Sequence, residues 1–234
     1  CPLTASRKLT EAAPAEERAK ILQEQREMRQ NALVDLKPYF VTLDDLDGPI
    51  DWSRLFGNEN PVEIDIGCGK GKFVVDAAQE FPERNYLGIE TDFGKGRHGA
   101  RRLQKRSLPN GRILGGDVRV ALDRFIKPTS VADFDVFFPD PWWKRRHKCR
   151  RLFTAELVEQ MITALKPGGH VTSWTDVEDY FEVIAALMDG HPSFHTLPTP
   201  AELQPADDTD YRTSFERKKR QAGETIHRGL WQLT

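Results

Sequence analysis

The stretch Val62-Glu63-Ile64-Asp65-Ile66-Gly67-Cys68-Gly69-Lys70-Gly71-Lys72 decides the fold. Its first half has the apolar, β-branched character of a short strand, closed by an acid. Three glycines come next in two-residue steps, which permits a tight turn and lets a ligand approach the backbone at the positive end of a helix. That helix is expected over 72–81. Outward from it the alternation repeats, with strands at 85–90, 112–117, 133–138 and 170–176 and helices at 95–107, 118–126, 154–166 and 177–188. Such spacing implies a parallel sheet covered on both faces. Residues 225–233 read as a closing strand and 189–222 as a Pro-rich, charged stretch. Residues 35–60, broken by Pro38, Gly48, Pro49 and Gly57, read as a connector after a helix within 15–34. The expected division is 1–60, an N-terminal helix and connector, and 61–234, the α/β domain.

At 234 residues and 38% hydrophobic, the chain can bury one sizeable core. No window approaches the roughly 18 apolar residues of a membrane span. The charged first thirty residues lack the apolar centre of an export signal, so a cytoplasmic protein is expected. Cys1, Cys68 and Cys149 are too few and too scattered for a disulfide framework or a paired-cysteine zinc site, and no metal is expected. The formal charge is only −2, but its arrangement is uneven. Residues 93–116, 141–155 and 217–223 contain no acid and hold 17 of the 34 Lys and Arg residues. The rest of the chain is acidic, and such segregation suits a face that binds a polyanion.

Two more acids end predicted strands, Glu90 and Asp117. In an open α/β sheet, ligands lie beyond the carboxyl ends of the strands, so both converge with the glycine turn on one crevice. A dinucleotide fingerprint needs a glycine where this chain has Lys72, which disfavours a nicotinamide dehydrogenase. Glu90 can accept two ribose hydroxyls and Asp117 an adenine amine. The acid followed by G-x-G-x-G (Asp65, Gly67, Gly69, Gly71), with the two strand-end acids, resembles the S-adenosylmethionine site of the seven-stranded methyltransferases.

After the apolar run at 133–138 comes Pro139-Asp140-Pro141-Trp142-Trp143-Lys144-Arg145-Arg146-His147-Lys148-Cys149-Arg150-Arg151. A carboxylate between prolines is rigidly held, and aromatics followed by six cations suit an unstacked base above and phosphates below. The run P-D-P-W-x-K-x-R-H-x-x-R-R, with Thr213-x-Phe215-Glu216, Gly223 and Ile226-His227 downstream, resembles the bacterial tRNA (guanine-N7)-methyltransferase family from about Pro61 to the C-terminus. The resemblance implies a Rossmann-like, doubly wound seven-stranded sheet, mostly parallel with an antiparallel last strand. It implies transfer of a methyl group from S-adenosylmethionine to N7 of guanine 46 in the tRNA variable loop, by a monomer or homodimer. Residue by residue, Asp65, Glu90, Asp117 and Asp140 match cofactor contacts beside Gly67, Gly69 and Gly71, with Asp140 also the proposed catalytic residue. Lys144, Asp176, Thr213, Ser214, Phe215 and Glu216 match substrate contacts. Without the resemblance, 207–220 reads as a surface loop.

Guanine N7 has an in-plane lone pair and no proton, so general-base catalysis is not the expected role of Asp140. Its expected task is to orient the base and stabilise the cation that forms. The helix over 95–107 and the run 144–151 are expected to bind the tRNA backbone. Two rivals remain at this level: an amino-group methyltransferase acting on adenine, for which the second proline after Asp-Pro is missing, and a non-catalytic nucleic-acid-binding module, which has no use for strand-end carboxylates.

Overall fold

The structure, a computed structural model, describes residues 35–141, 151–199 and 211–234. In chain order these residues form β1 (Phe40–Thr42), α1 (Trp52–Phe56), β2 (Val62–Ile66), α2 (Lys72–Glu80), β3 (Asn85–Glu90), α3 (Phe93–Lys105), β4 (Gly111–Gly115), α4 (Val118–Arg124), β5 (Val131–Phe137), α5 (Ala155–Ala164), β6 (Leu165–Thr175), α6 (Glu178–Asp189), β7 (Phe194–Thr196), α7 (Ser214–Gln221) and β8 (His227–Leu233).

The strands form one sheet in the order β1-β4-β3-β2-β5-β6-β8-β7. Neighbouring pairs are parallel except those that involve β8, which runs antiparallel to β6 and β7. From β2 the chain winds outward through β3 and β4, then crosses back to β5, which pairs with β2 at Ile64 and Phe134. The order reverses between β2 and β5, and a crevice opens beyond their carboxyl ends.

Helix faces obey the sequence period. Gly96, Gly99, Ala100 and Leu103 bury one stripe of α3, and Leu157, Val158, Met161 and Ala164 one stripe of α5. Asp92 and Thr154 cap these helices by accepting from Lys95 N–H (3.1 Å) and Leu157 N–H (3.2 Å). Ile64, Ile66, Phe134 and Val136 fill the centre of the core, where full burial of each such side chain contributes roughly 1.5–3 kcal/mol.

One sequence expectation changes: the sheet has eight strands rather than seven, because residues read as a connector supply β1. Residues from Lys37 onward cluster as one compact unit, β1 among them. Tyr39-Phe40-Val41-Thr42 has strand character that Pro38 masks. Ile113 N–H donates to the Tyr39 carbonyl at 2.9 Å. Phe40 lies where side chains on Gly96 and Gly115 would stand, 3.0 and 2.9 Å from a Cβ built there. The helix expected over 154–166 ends at Ala164, and β6 begins at once, running through Pro167-Gly168-Gly169 with a shift in its register against β5. The stretch that reads as a surface loop contains α7.

Candidate active site

The glycine turn rests on β3. Gly67 and Cys68 N–H both donate to the Ile89 carbonyl, at 2.9 and 3.2 Å. Gly67, Gly69 and Gly71 have φ of 77°, 55° and 65°, a region other residues enter only with strain. Gly71 is the N-cap of α2 and has no side chain with which to cap it, so no cap side chain takes up the first N–H groups of α2.

Glu90 fixes this turn. Its Oε2 accepts from Gly69 N–H at 2.8 Å, while Oε1 accepts from Asp92 N–H at 2.8 Å. The carboxylate staples the glycine turn to the start of α3, and Oε1 accepts also from the Thr91 hydroxyl at 3.4 Å. Asp117 is exposed and serves as N-cap of α4, its Oδ1 accepting from Arg119 N–H at 2.8 Å. Asp65 lies on β2 beneath the turn, 4% exposed. Burial, reinforced by the charges of Glu63 and Glu90, pushes its carboxyl up to about 8. A cationic ligand set beside Asp65 favours its ionised form. S-adenosylmethionine, with a sulfonium and an ammonium, fits this donor set, to be held by Asp65, Glu90, Asp117 and the glycine turn.

Across the switch point, β5 ends at Phe137. Phe138 takes the left-handed conformation, φ 51°, and its N–H donates to the Trp174 carbonyl of β6 at 2.7 Å. A bulky residue in that conformation is strained, and here it turns the chain sharply so that buried Pro139 is succeeded by exposed Asp140 on the rim. Lys144, with Trp142, Trp143 and His147, lies outside the described residues.

The downstream residues arrive at the same rim. Thr213 is the N-cap of α7, its Oγ1 accepting from Glu216 N–H at 3.0 Å. Glu216 is buried and accepts from Arg212 N–H at 2.8 Å and Arg220 Nε at 2.9 Å. Thr-x-x-Glu has the sequence form of a capping box, but Glu216 reaches past the Thr213 cap to Arg212 N–H, and Gly223 (φ 73°) closes the far end. Ser214 opens the helix. Phe215 is 58% exposed and lies 6.2 Å from Phe138, their rings inclined by 23°. Asp176, at the end of β6, pairs with Lys219 of α7 at 2.8 Å. The residues that match substrate contacts therefore divide: Phe215 is presented at the rim, while Thr213, Glu216 and Asp176 spend hydrogen bonds and charge holding α7 in place.

Sequence reading also overlooked a network away from the crevice. Arg84 pairs with Glu63 (3.0 Å) and with Asp133, which holds His170 through Nδ1 (2.8 Å). These groups line a cleft of about 370 Å³ on one face of β2, β5 and β6, together with Asp135, which stands opposite Asp65 in the sheet. Burial, then Glu63 beside it, pushes the neighbouring Asp135 carboxyl well above its ordinary range. Among the described residues, no group of three or more ligating side chains gathers as a metal site, and no helix is long and apolar enough to cross a membrane.

Comparison with known proteins adds the family. The family described as "Putative methyltransferase" matches residues 59–229. A tRNA (guanine-N7)-methyltransferase of Rhodopirellula baltica is 35% identical over 206 residues, 86% of this chain and 76% of that one. The enzyme of the same name from Syntrophotalea carbinolica is 34% identical over 203 residues, 86% of each chain. Among solved structures, the 16S rRNA methyltransferase KamB superposes with a TM-score of 0.56 at 15% identity, covering 78% of this chain and 92% of that one. A 16S rRNA adenine-N1 methyltransferase from Catenulisporales acidiphilia, solved with S-adenosylmethionine, gives 0.54 at 16% identity, covering 79% and 92%. At such identities these two speak for the fold, a Rossmann-like methyltransferase sheet, whereas the sequence relatives cover most of both chains: this chain belongs to the tRNA (guanine-N7)-methyltransferase family.

Proposed function

We infer that the chain transfers a methyl group from S-adenosylmethionine to N7 of a guanine in tRNA, guanine 46 of the variable loop, in the cytoplasm. One observation carries the reading beyond family membership. The glycine turn, Glu90, Asp117 and the strained turn that presents Asp140 lie at or just beyond the carboxyl ends of parallel strands, the end of an open α/β sheet at which a ligand binds, and Asp65 lies on β2 beneath the turn. When bound, S-adenosylmethionine supplies an electrophilic methyl group on a sulfonium.

The residues of this chain then have positioning and electrostatic tasks. The acceptor nitrogen carries no proton, so no side chain has to act as a base. Asp140 accepts from the guanine N1–H and amine, which sets N7 in line, and its charge stabilises the positive purine that forms. Phe215 offers an exposed ring on which the base can stack. Glu90 holds the glycine turn, and α7, tied by Glu216 and by Lys219 to Asp176, holds Phe215.

Hydrolysis of RNA methylated with labelled donor tests the reaction. Label in 7-methylguanine supports it, and label in N6-methyladenine replaces it with the amino-group reading. Calorimetric binding of S-adenosylmethionine separates either from a non-catalytic RNA-binding module, which binds none.

A further inference from the structure

Arg151 closes the basic segment and, by its sequence, counts among the cations for tRNA phosphate. Its surroundings point elsewhere. Arg151 Nε donates to the Pro141 carbonyl at 2.9 Å, and its guanidinium lies 5.0 Å from the centre of the Tyr180 ring. Tyr180, on α6, is fully buried, and its hydroxyl accepts from Phe153 N–H at 3.3 Å. The Arg151 carbonyl in turn accepts from Arg119, two residues beyond Asp117, at 3.4 Å. Burial holds the Tyr180 phenol above its ordinary pKa; Arg151 opposes that shift and Asp140 adds to it, so both charges act on one ring.

The need for such an arrangement lies in the backbone. Pro139 and Pro141 have no N–H, so neither proline can hold the turn that presents Asp140 by donating, and a carbonyl contact can take that task. The Pro141 carbonyl is the one that Arg151 takes. Because Pro141 and Arg151 meet, both ends of the basic segment are tied at one point, next to Asp140.

We propose that Arg151 is a positioning residue: stacked on Tyr180 and bonded to the Pro141 carbonyl, it fixes the Asp140 turn at the crevice and is not a phosphate contact. This rests on the methyl-transfer reading. Lysine retains the charge but lacks the planar stack and the fixed fork of donors.

The test compares wild type, Arg151→Lys, Arg151→Ala and, as a cation inside the basic segment, Lys148→Ala. Both Arg151 variants are expected to lower kcat about tenfold to a hundredfold, as small misplacements of a positioning group do, with KM for tRNA changed less than kcat. The slope of log affinity against log salt stays at the wild-type value in Arg151→Ala and becomes shallower by about one in Lys148→Ala. Hydrogen exchange of the free protein, which needs no activity, is expected to quicken at Asp140 and Phe153 in both Arg151 variants. Full kcat in Arg151→Lys, or a shallower salt slope in Arg151→Ala with exchange unchanged, overturns the proposal. Should Arg151→Ala fail to fold, the lysine variant decides by kcat and exchange. If wild type forms no 7-methylguanine, the methyl-transfer reading falls, while the exchange result still reports whether Arg151 holds the turn.

Discussion

Asp65 carries the sharpest residue-scale consequence. Its carboxyl titrates near 8 in the folded chain and near 4 when unfolded, so between those values the folded state holds a proton that the unfolded state has released. Stability of the free protein therefore falls as pH rises from about 5 to 8, and buried Asp135 acts in the same direction. A cationic ligand reverses the preference by favouring the ionised carboxylate. Calorimetry in buffers of different ionisation enthalpy is expected to record proton release when S-adenosylmethionine binds near pH 7. Asp65→Asn removes that release, and an unchanged release in the variant contradicts the assignment. Asp140 carries the second consequence. Asp140→Asn keeps the shape and loses the charge, so kcat is expected to fall about a hundredfold, the scale of removing one electrostatic stabiliser, with binding of S-adenosylmethionine changed only a few-fold. Full turnover at saturating tRNA rules out the role.

At the scale of elements, α7 shows what a sequence can hide in plain view. Thr213-Ser214-Phe215-Glu216 both matches substrate-contact positions and carries the Thr-x-x-Glu signature of a helix start, with Thr213 as the N-cap. Removing the Thr213 hydroxyl costs about 1 kcal/mol of helix stability. Thr213→Ala is thus expected to speed amide exchange over 214–221 roughly fivefold, by that same figure. A residue that served only to touch tRNA would leave exchange unaltered. Most of the sheet was legible because apolar runs and helical stripes alternate from residue 62 to 188, and glycines and capping residues mark their ends. β1 was not, because a three-residue edge strand beside a proline offers little period, and its partner β4 lies some seventy residues on. The candidate site was legible as far as local motifs reach: the glycine turn and the acids. That Glu90 spends hydrogen bonds on Gly69 and Asp92, or that Asp176 meets Lys219, depends on packing between segments distant in sequence.

For the whole molecule, the question is how opposite charges serve two tasks on one sheet. Acids gather at the strand ends, where a cationic donor fits, and half the cations lie in acid-free runs. The structure removes some of those cations from the RNA-binding count. Arg112 is 5% exposed, donates to the Pro109 and Gly111 carbonyls at 2.8 and 2.7 Å, and packs against Tyr39 and Phe56. Arg102 donates to the Lys70 carbonyl at 3.4 Å. Lys105 and Arg106, by contrast, are exposed on the last turn of α3 and just beyond it. Replacing both with Ala is expected to make the salt dependence of tRNA affinity shallower by about two, and replacing Arg112 to lower the melting temperature with the slope unchanged. A shallower slope in the Arg112 variant instead argues that it faces RNA.

The central claim, methyl transfer to guanine N7 in the crevice between β2 and β5, meets its most direct test in two unmodified tRNA transcripts that differ only at position 46. Each is incubated with the protein and S-adenosylmethionine, then cleaved chemically at 7-methylguanine. The account predicts a single cleavage at guanine 46 and none in the transcript carrying adenine there. Cleavage at neither, with the protein folded and donor bound, contradicts it.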